Sequence, residues 1–171
     1  MHHFANSLLG PDNHKRWLSE IHGPVLSDLS SAATQKIQSH MLVAYLDPFD
    51  NLAPNSHPSE LLLLKPKTLK EALAMTQELL KNAGLHMLII DSLFWFDAKL
   101  AEFEQALKAL DQMGNDHKKR ILLVNPENGV RKYLEPTLEA FCESVAPASE
   151  PGSSTGSRVR PGMTITQRCE Q

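Results

Sequence analysis

Residues 61–92 read LLLLKPKTLKEALAMTQELLKNAGLHMLIIDS, and the changes of pattern within that run decide the fold. Leu61 to Leu64 is a continuous apolar run of strand length, the pattern of a strand buried on both faces. Thr68-Leu69-Lys70-Glu71 follows as a capping box. There the threonine hydroxyl accepts from the amide three residues on, and the glutamate reaches back to the cap amide. Leu69, Ala72, Leu73, Leu79, Leu80 and Ala83 then place apolar groups on one helical face, and Gly84 supplies the stop. Leu85 to Ile90 is a second apolar run, closed by Asp91-Ser92.

The pattern extends outward in both directions. Upstream, Trp17-Leu18-Ser19-Glu20-Ile21 reads as a short strand running into a turn at His22-Gly23-Pro24. Residues 29–39 form a short helix with Ala32, Ala33 and Ile37 on one side, and Met41 to Leu46 is a strand broken by Asp47-Pro48. Asn51 to Ser59 is a Pro/Asn/Ser loop. Downstream, the periodicity predicts a helix over 98–113, with Leu100, Phe103, Leu107 and Leu110 inward and Met113-Gly114 closing it. Ile121 to Val124 is a buried strand stopping at Asn125-Pro126, and a last helix covers about 130–144. Apolar strands alternating with amphipathic helices specify an α/β fold, a parallel sheet flanked by helices. The expected organisation is a flexible segment over 1–16, an α/β domain over 17–145, and a disordered Pro/Gly/Ser/Thr-rich tail over 146–171.

Composition narrows the function. Seventeen basic against 20 acidic residues give a net charge of −3, so no global positive field drives nucleic-acid binding. Two cysteines, Cys142 and Cys169, exclude a disulfide scaffold and a four-cysteine zinc site. His2, His3, Asp12 and His14 lack a structured spacing, so no metal is expected there. The apolar runs are far too short to span a membrane, and no basic region followed by a long apolar run marks a signal peptide. The expectation is a cytoplasmic protein with reduced thiols and no membrane contact.

Parallel sheets bind ligands beyond the carboxyl ends of their strands. Four segments fall there: 23–30, 47–54, 91–96 and 125–129. In the first, Gly23 and Ser30 fit the spacing of a phosphate-binding loop, but Asp28 stands at the second glycine and Leu29 at the lysine. Such a loop needs glycines so that amides face the phosphates, a lysine to neutralise them and a hydroxyl to ligate magnesium. Taken alone the segment is an ordinary strand-to-helix turn.

In order, over roughly 16–126, the sequence resembles the RecA recombinase family. Glu20-Ile21-His22-Gly23-Pro24 resembles the lead-in to that family's P-loop. Tyr45 to Pro54 resembles the strand and loop after the P-loop helix. Lys65-Pro66-x-Thr68 and Glu71-Ala72-Leu73 match a further run. Gly84 to Ser92 resembles the Walker B strand, and Ile121 to Asn125 the strand ending in Asn-Gln. The resemblance implies a truncated RecA-like P-loop core with a degenerate nucleotide site at Gly23, Ser27, Ser30, Asp47, Asp91 and Ser92. Leu29 replaces the phosphate-binding lysine, Phe49 the glutamate that activates water, and Pro126 the nucleotide-sensing glutamine. The expectation is a pseudo-ATPase with no catalytic residues, no cofactor and no metal.

That degenerate form is similar to the bacterial SulA/ImuA group, whose members act through protein contacts. The implied role is an inactive accessory protein of DNA repair and the SOS response, bound to a recombinase or a DNA polymerase subunit. The alternatives are a SulA-like division inhibitor and a nucleotide-binding ATPase of recombination. Phe94-Trp95-Phe96, after a strand end, is a partner surface or base-stacking platform if exposed; otherwise at least two of its rings cap the core. His117-Lys118-Lys119-Arg120 is a solvated turn, or with Lys118, Lys119 and Arg120 a weak contact to DNA. Ser27 and Ser92 lack the neighbours a hydrolase needs, and Cys142 is packed in a helix.

Overall fold

A computed structural model describes residues 16–35, 37, 38, 40–52 and 61–145. The terminal segments and most of the Asn51–Ser59 loop lie outside them. Chain order is β1 (Leu18–Gly23), α1 (Leu26–Thr34), β2 (Leu42–Leu46), β3 (Leu61–Leu64), α2 (Leu69–Leu80), β4 (Leu85–Asp91), a 3₁₀ turn (Leu93–Trp95), α3 (Leu100–His117), β5 (Arg120–Pro126), α4 (Gly129–Tyr133), α5 (Glu135–Phe141) and β6 (Glu143–Ser144). The strands form one sheet in the order β3-β2-β4-β5-β1-β6, and every pairing is parallel. The fold is a parallel α/β sheet flanked by helices. Among the described residues no helix is long and apolar enough to cross a membrane.

Alternation along the strands sends side chains into two cores. Leu88 and Ile90 join Leu80, Phe103, Leu107 and Leu110 beneath α2 and α3. Met87 and Ile89 join Ile21, Val43 and Val124 beneath α1. Burying each leucine or isoleucine side chain contributes about 1.5–3 kcal/mol, which is why the central strands carry apolar residues on both faces.

The capping of α2 follows the sequence in part. Thr68 Oγ1 accepts from Glu71 N at 3.1 Å, while Glu71 Oε2 accepts from Lys67 N at 2.7 Å, one residue before the cap. Several boundaries differ from expectation. The strand read over Trp17–Ile21 extends to Gly23, because its pairing with β5 continues to Pro126. The first helix is Leu26–Thr34 rather than 29–39. The helix expected to close at Gly114 runs on to His117. Gly114 serves close packing instead: a Cβ there would lie 3.0 Å from Trp17 Cβ and 3.2 Å from Lys119 O. The stop is Lys118, in the left-handed region at φ 53°. The helix expected over 130–144 is two short helices, because Pro136 has no amide to continue the first and opens the second. Finally, Leu61–Leu64 is an edge strand and not a buried one: Leu62 is 44% and Leu63 39% exposed.

Candidate functional site

β1 ends at Gly23 and α1 begins at Leu26, so only Pro24 and Val25 bridge them. Two residues are too few to arch a ring of amides around a phosphate. Leu29 fills the space beneath: it is 3% exposed, and its Cδ2 lies 3.1 Å from where a Cβ on Gly23 would stand. Gly23 is therefore a glycine that admits Leu29, and Leu29 packs with Ile21, Val43 and Val124. Asp28 is exposed. Ser27 lies in the first turn of α1, and its side chain is outside the described residues.

Ser30 and Asp91 are brought together. Asp91, at the end of β4, is fully buried and accepts from Ser30 Oγ at 2.5 Å and from Tyr45 Oη at 2.5 Å. Asn51 Nδ2 lies 3.3 Å from both Asp91 Oδ1 and Asp91 O. Burial pushes the Asp91 carboxyl up to about 6, against the hydrogen bonds from Ser30 and Tyr45. Burial, reinforced by the adjacent Asp91, pushes the Tyr45 phenol far above its ordinary range, so it is a donor throughout. Asp47 is buried too, but its oxygens accept from Asn51 N at 2.7 Å and Leu52 N at 3.0 Å. It caps its own loop rather than facing a ligand. The Ser30 hydroxyl donates to the Asp91 carboxylate, and the buried Leu29 places no cation beside them. Among the described residues no group of three or more His, Cys, Asp or Glu forms a metal site.

Ser92, joined to Asp91 by a cis peptide bond, starts a second network on the opposite face. Ser92 Oγ donates to Asn125 Oδ1 at 3.3 Å, and Asn125 Nδ2 to Glu20 Oε1 at 3.0 Å. Arg131 grips the same carboxylate through Nε at 3.1 Å and NH2 at 3.0 Å. Sequence reasoning missed Glu20 and Arg131 as a pair. The signal was present: a glutamate inside a strand read as buried requires a partner.

The aromatic trio divides. Phe94 is buried edge-on against Phe103, centroids 5.4 Å apart, and Phe96 is 6% exposed. Two of the three rings therefore cap the core, the second of the two readings above, and Phe94 and Phe96 leave the expected partner surface. Only Trp95 faces out, 45% exposed, and it meets Phe49 at 5.7 Å in a T-shaped pair. Phe49 also touches Phe96 at 5.5 Å and is 38% exposed. The exposed aromatic pair thus joins two strand-end loops.

The basic run lies at the other end of the strands and is held by local contacts. Lys119 Nζ donates to Ala83 O at 3.0 Å and Leu85 O at 2.6 Å. Lys118 Nζ donates to Asn115 Oδ1 at 2.9 Å and lies 5.9 Å from the centroid of the Trp17 ring. Arg120 is half-buried, its pKa lowered by desolvation against the attraction of Glu143. These contacts agree with the reading of the run as a local turn and lend no support to the alternative of a weak DNA contact.

No protein-family model matches the chain, and no curated protein sequence does. Among solved structures it is similar to one described as the crystal structure of the RadB recombinase, with 22% identity and a TM-score of 0.53. The similarity covers 71% of this chain and 66% of that chain, just under two thirds of its length. Together with the all-parallel strand order, that likeness makes the fold a RecA-like core.

Proposed function

We propose that this chain is a catalytically inactive RecA-like accessory protein of DNA recombination and repair, acting by contact with a recombinase or a DNA polymerase subunit in the damage response. One observation carries the reading: Leu29 is packed into the core above Gly23 at the lysine position. The lysine's charge-assisted bond to phosphate is worth about 1.5–3 kcal/mol, and a buried leucine supplies none of it. Phe49, at the position of the water-activating glutamate, is a surface aromatic. A solved structure similar to this chain is described as a recombinase, which supports the link to recombination. The Phe49–Trp95 pair is the surface offered for the partner, since exposed aromatics at a rigid edge supply large contact area at low entropic cost.

The test is calorimetry with magnesium-ATP plus a phosphate-release assay, with and without single-stranded DNA. The expected result is no turnover and affinity no tighter than about millimolar, on the order of −4 kcal/mol. The same should hold for D28G/L29K, because the two-residue connection still forms no cradle. Micromolar affinity or DNA-stimulated hydrolysis by the unaltered chain overturns the proposal.

A further inference from the structure

At the flank of the sheet away from Trp95, a cleft of about 300 Å³ lies between the β1–β6 edge and helices α4 and α5. Two ladders of α5 and its C-cap residue, Cys142, define it; that cysteine was expected inside a helix and is instead in extended backbone just after one. Leu138 and Cys142, four residues apart and both buried, make an apolar floor; Glu135 and Glu139, also four apart and both exposed, make the rim.

The charges of this cleft are unbalanced. Arg131 commits its fork to Glu20, and its remaining nitrogen makes a looser ion pair with Glu135 at 3.6 Å. The Glu139 carboxylate bonds to no side chain among the described residues. Arg16 nearby donates to the carbonyls of Glu139 and Cys142, at 2.5 and 2.9 Å, so its guanidinium covers the end of the helix. His22 is engaged by Glu127 at 3.3 Å. The lining therefore sets three carboxylates, Glu20, Glu135 and Glu139, against the Arg131 guanidinium, with Arg16 at its margin as a second cation. Like charges four apart on a helix repel, and while Arg16 offsets the helix dipole at this end, no side chain bonds the Glu139 carboxylate among the described residues. A cation between the two rim carboxylates relieves that repulsion.

We propose that this cleft docks a basic peptide segment of a partner protein. An arginine side chain lays its methylenes along Leu138 and Cys142 and sets its guanidinium between Glu135 and Glu139. Long basic side chains suit a floor that is apolar and a rim that is anionic. A peptide fits better than a free amine because the cleft runs beside β6, the last strand of the sheet among the described residues, whose Ser144 lines it. An extended segment can follow that edge. The inference stands apart from the nucleotide-site reading and shares no residue with it.

The experiment titrates the full chain with an acetylated, amidated Ala-Arg-Leu-Arg-Ala peptide, followed by calorimetry and amide chemical shifts. Shifts centred on residues 131–144 are expected. Affinity should be about tenfold weaker in E135Q/E139Q, as the removal of one charge-assisted hydrogen bond requires. Addition of salt should weaken binding, and the peptide with glutamate in place of arginine should not bind. Both substitutions lie at exposed positions, so an unchanged circular dichroism spectrum will show that the fold persists. Shifts scattered over the acidic surface, equal affinity in the double variant, or equal binding of spermidine at the same site overturn the proposal. So does binding seen only after residues 146–171 are removed, which would assign the cleft to the chain's own segment.

Discussion

Asp91 is a carboxylate whose donors come from three separate segments: Ser30 on α1, Tyr45 on β2 and Asn51 in the loop after it. Its pKa rises from 3.8 to about 6, chiefly through burial. Between those values the folded chain holds a proton that the unfolded chain has released. The stability contributed by this group is therefore fully present below about pH 4 and is lost as pH rises through about 6. The loss is on the order of 3 kcal/mol, from about 1.4 kcal/mol per pH unit. Other carboxylates titrate in the same range, so the measurement is a difference: urea unfolding of the parent and of Asp91→Asn at intervals from pH 4 to 7. The variant should lack this part of the slope. It should also be destabilised by about 1 kcal/mol at pH 5, where the carboxyl is largely protonated: its oxygen can still accept both hydroxyls, but its NH2 group then faces the Asn51 amide. At this scale much was legible. Asp28 and Leu29 in a phosphate-loop frame announced a missing positive charge. Tyr45 and Asn51 did not announce themselves, because an aromatic in an apolar strand and an asparagine in a loop are ordinary until the fold aims them at Asp91.

Elements were read best where local chemistry marked their ends. Thr68 and Glu71 fixed the start of α2. The start of α1 at Leu26 was missed because Val25 caps it without any side-chain hydrogen bond, so no residue pattern signals it. That one difference shortens the connection after β1 to two residues. Gly114 misled for the opposite reason, since a glycine late in a helix reads as a stop while here it admits Trp17. Gly114→Ala should therefore destabilise by about 1–3 kcal/mol through overpacking, although alanine gains roughly 1 kcal/mol in helix propensity. Chemical denaturation gives the sign, and a stabilised variant would refute the packing argument. The 3₁₀ turn after β4 offers a paired contrast. Phe94→Ala removes a ring buried against Phe103 and should cost about 3–5 kcal/mol. Trp95→Ala should cost less than about 1 kcal/mol in stability, yet weaken partner binding by about 2 kcal/mol or more if the aromatic pair is the anchor. Thermal melts and a binding assay on both variants separate the two roles.

For the molecule as a whole, the two cores meet across β4 and β5, which carry apolar residues on both faces and have neighbours on both sides. Amide exchange should be slowest there and fastest in β3 and β6, each with one neighbour among the described strands. Comparable protection of β6 would show that a further segment covers it. The parallel class was legible from continuous apolar strands between helices. Strand order was not, since nothing local told β3 that it lies at an edge.

That order also bears on how the chain is made. β2, β3, α2 and β4 are consecutive and pair among themselves, so they can assemble as they leave the ribosome. β1 is synthesised before them, yet Leu18 pairs with Ile121 and Ser19 with Glu143. β1 thus waits about a hundred residues for either neighbour, roughly 5–20 s at ordinary elongation rates. Throughout that interval Leu18 and Ile21 are exposed apolar groups on an unpaired backbone, and a chain halted before β5 keeps them so. Translation arrest upstream of residue 120 should leave a species that holdase chaperones bind through its first strand, while the β2–β4 unit is already folded.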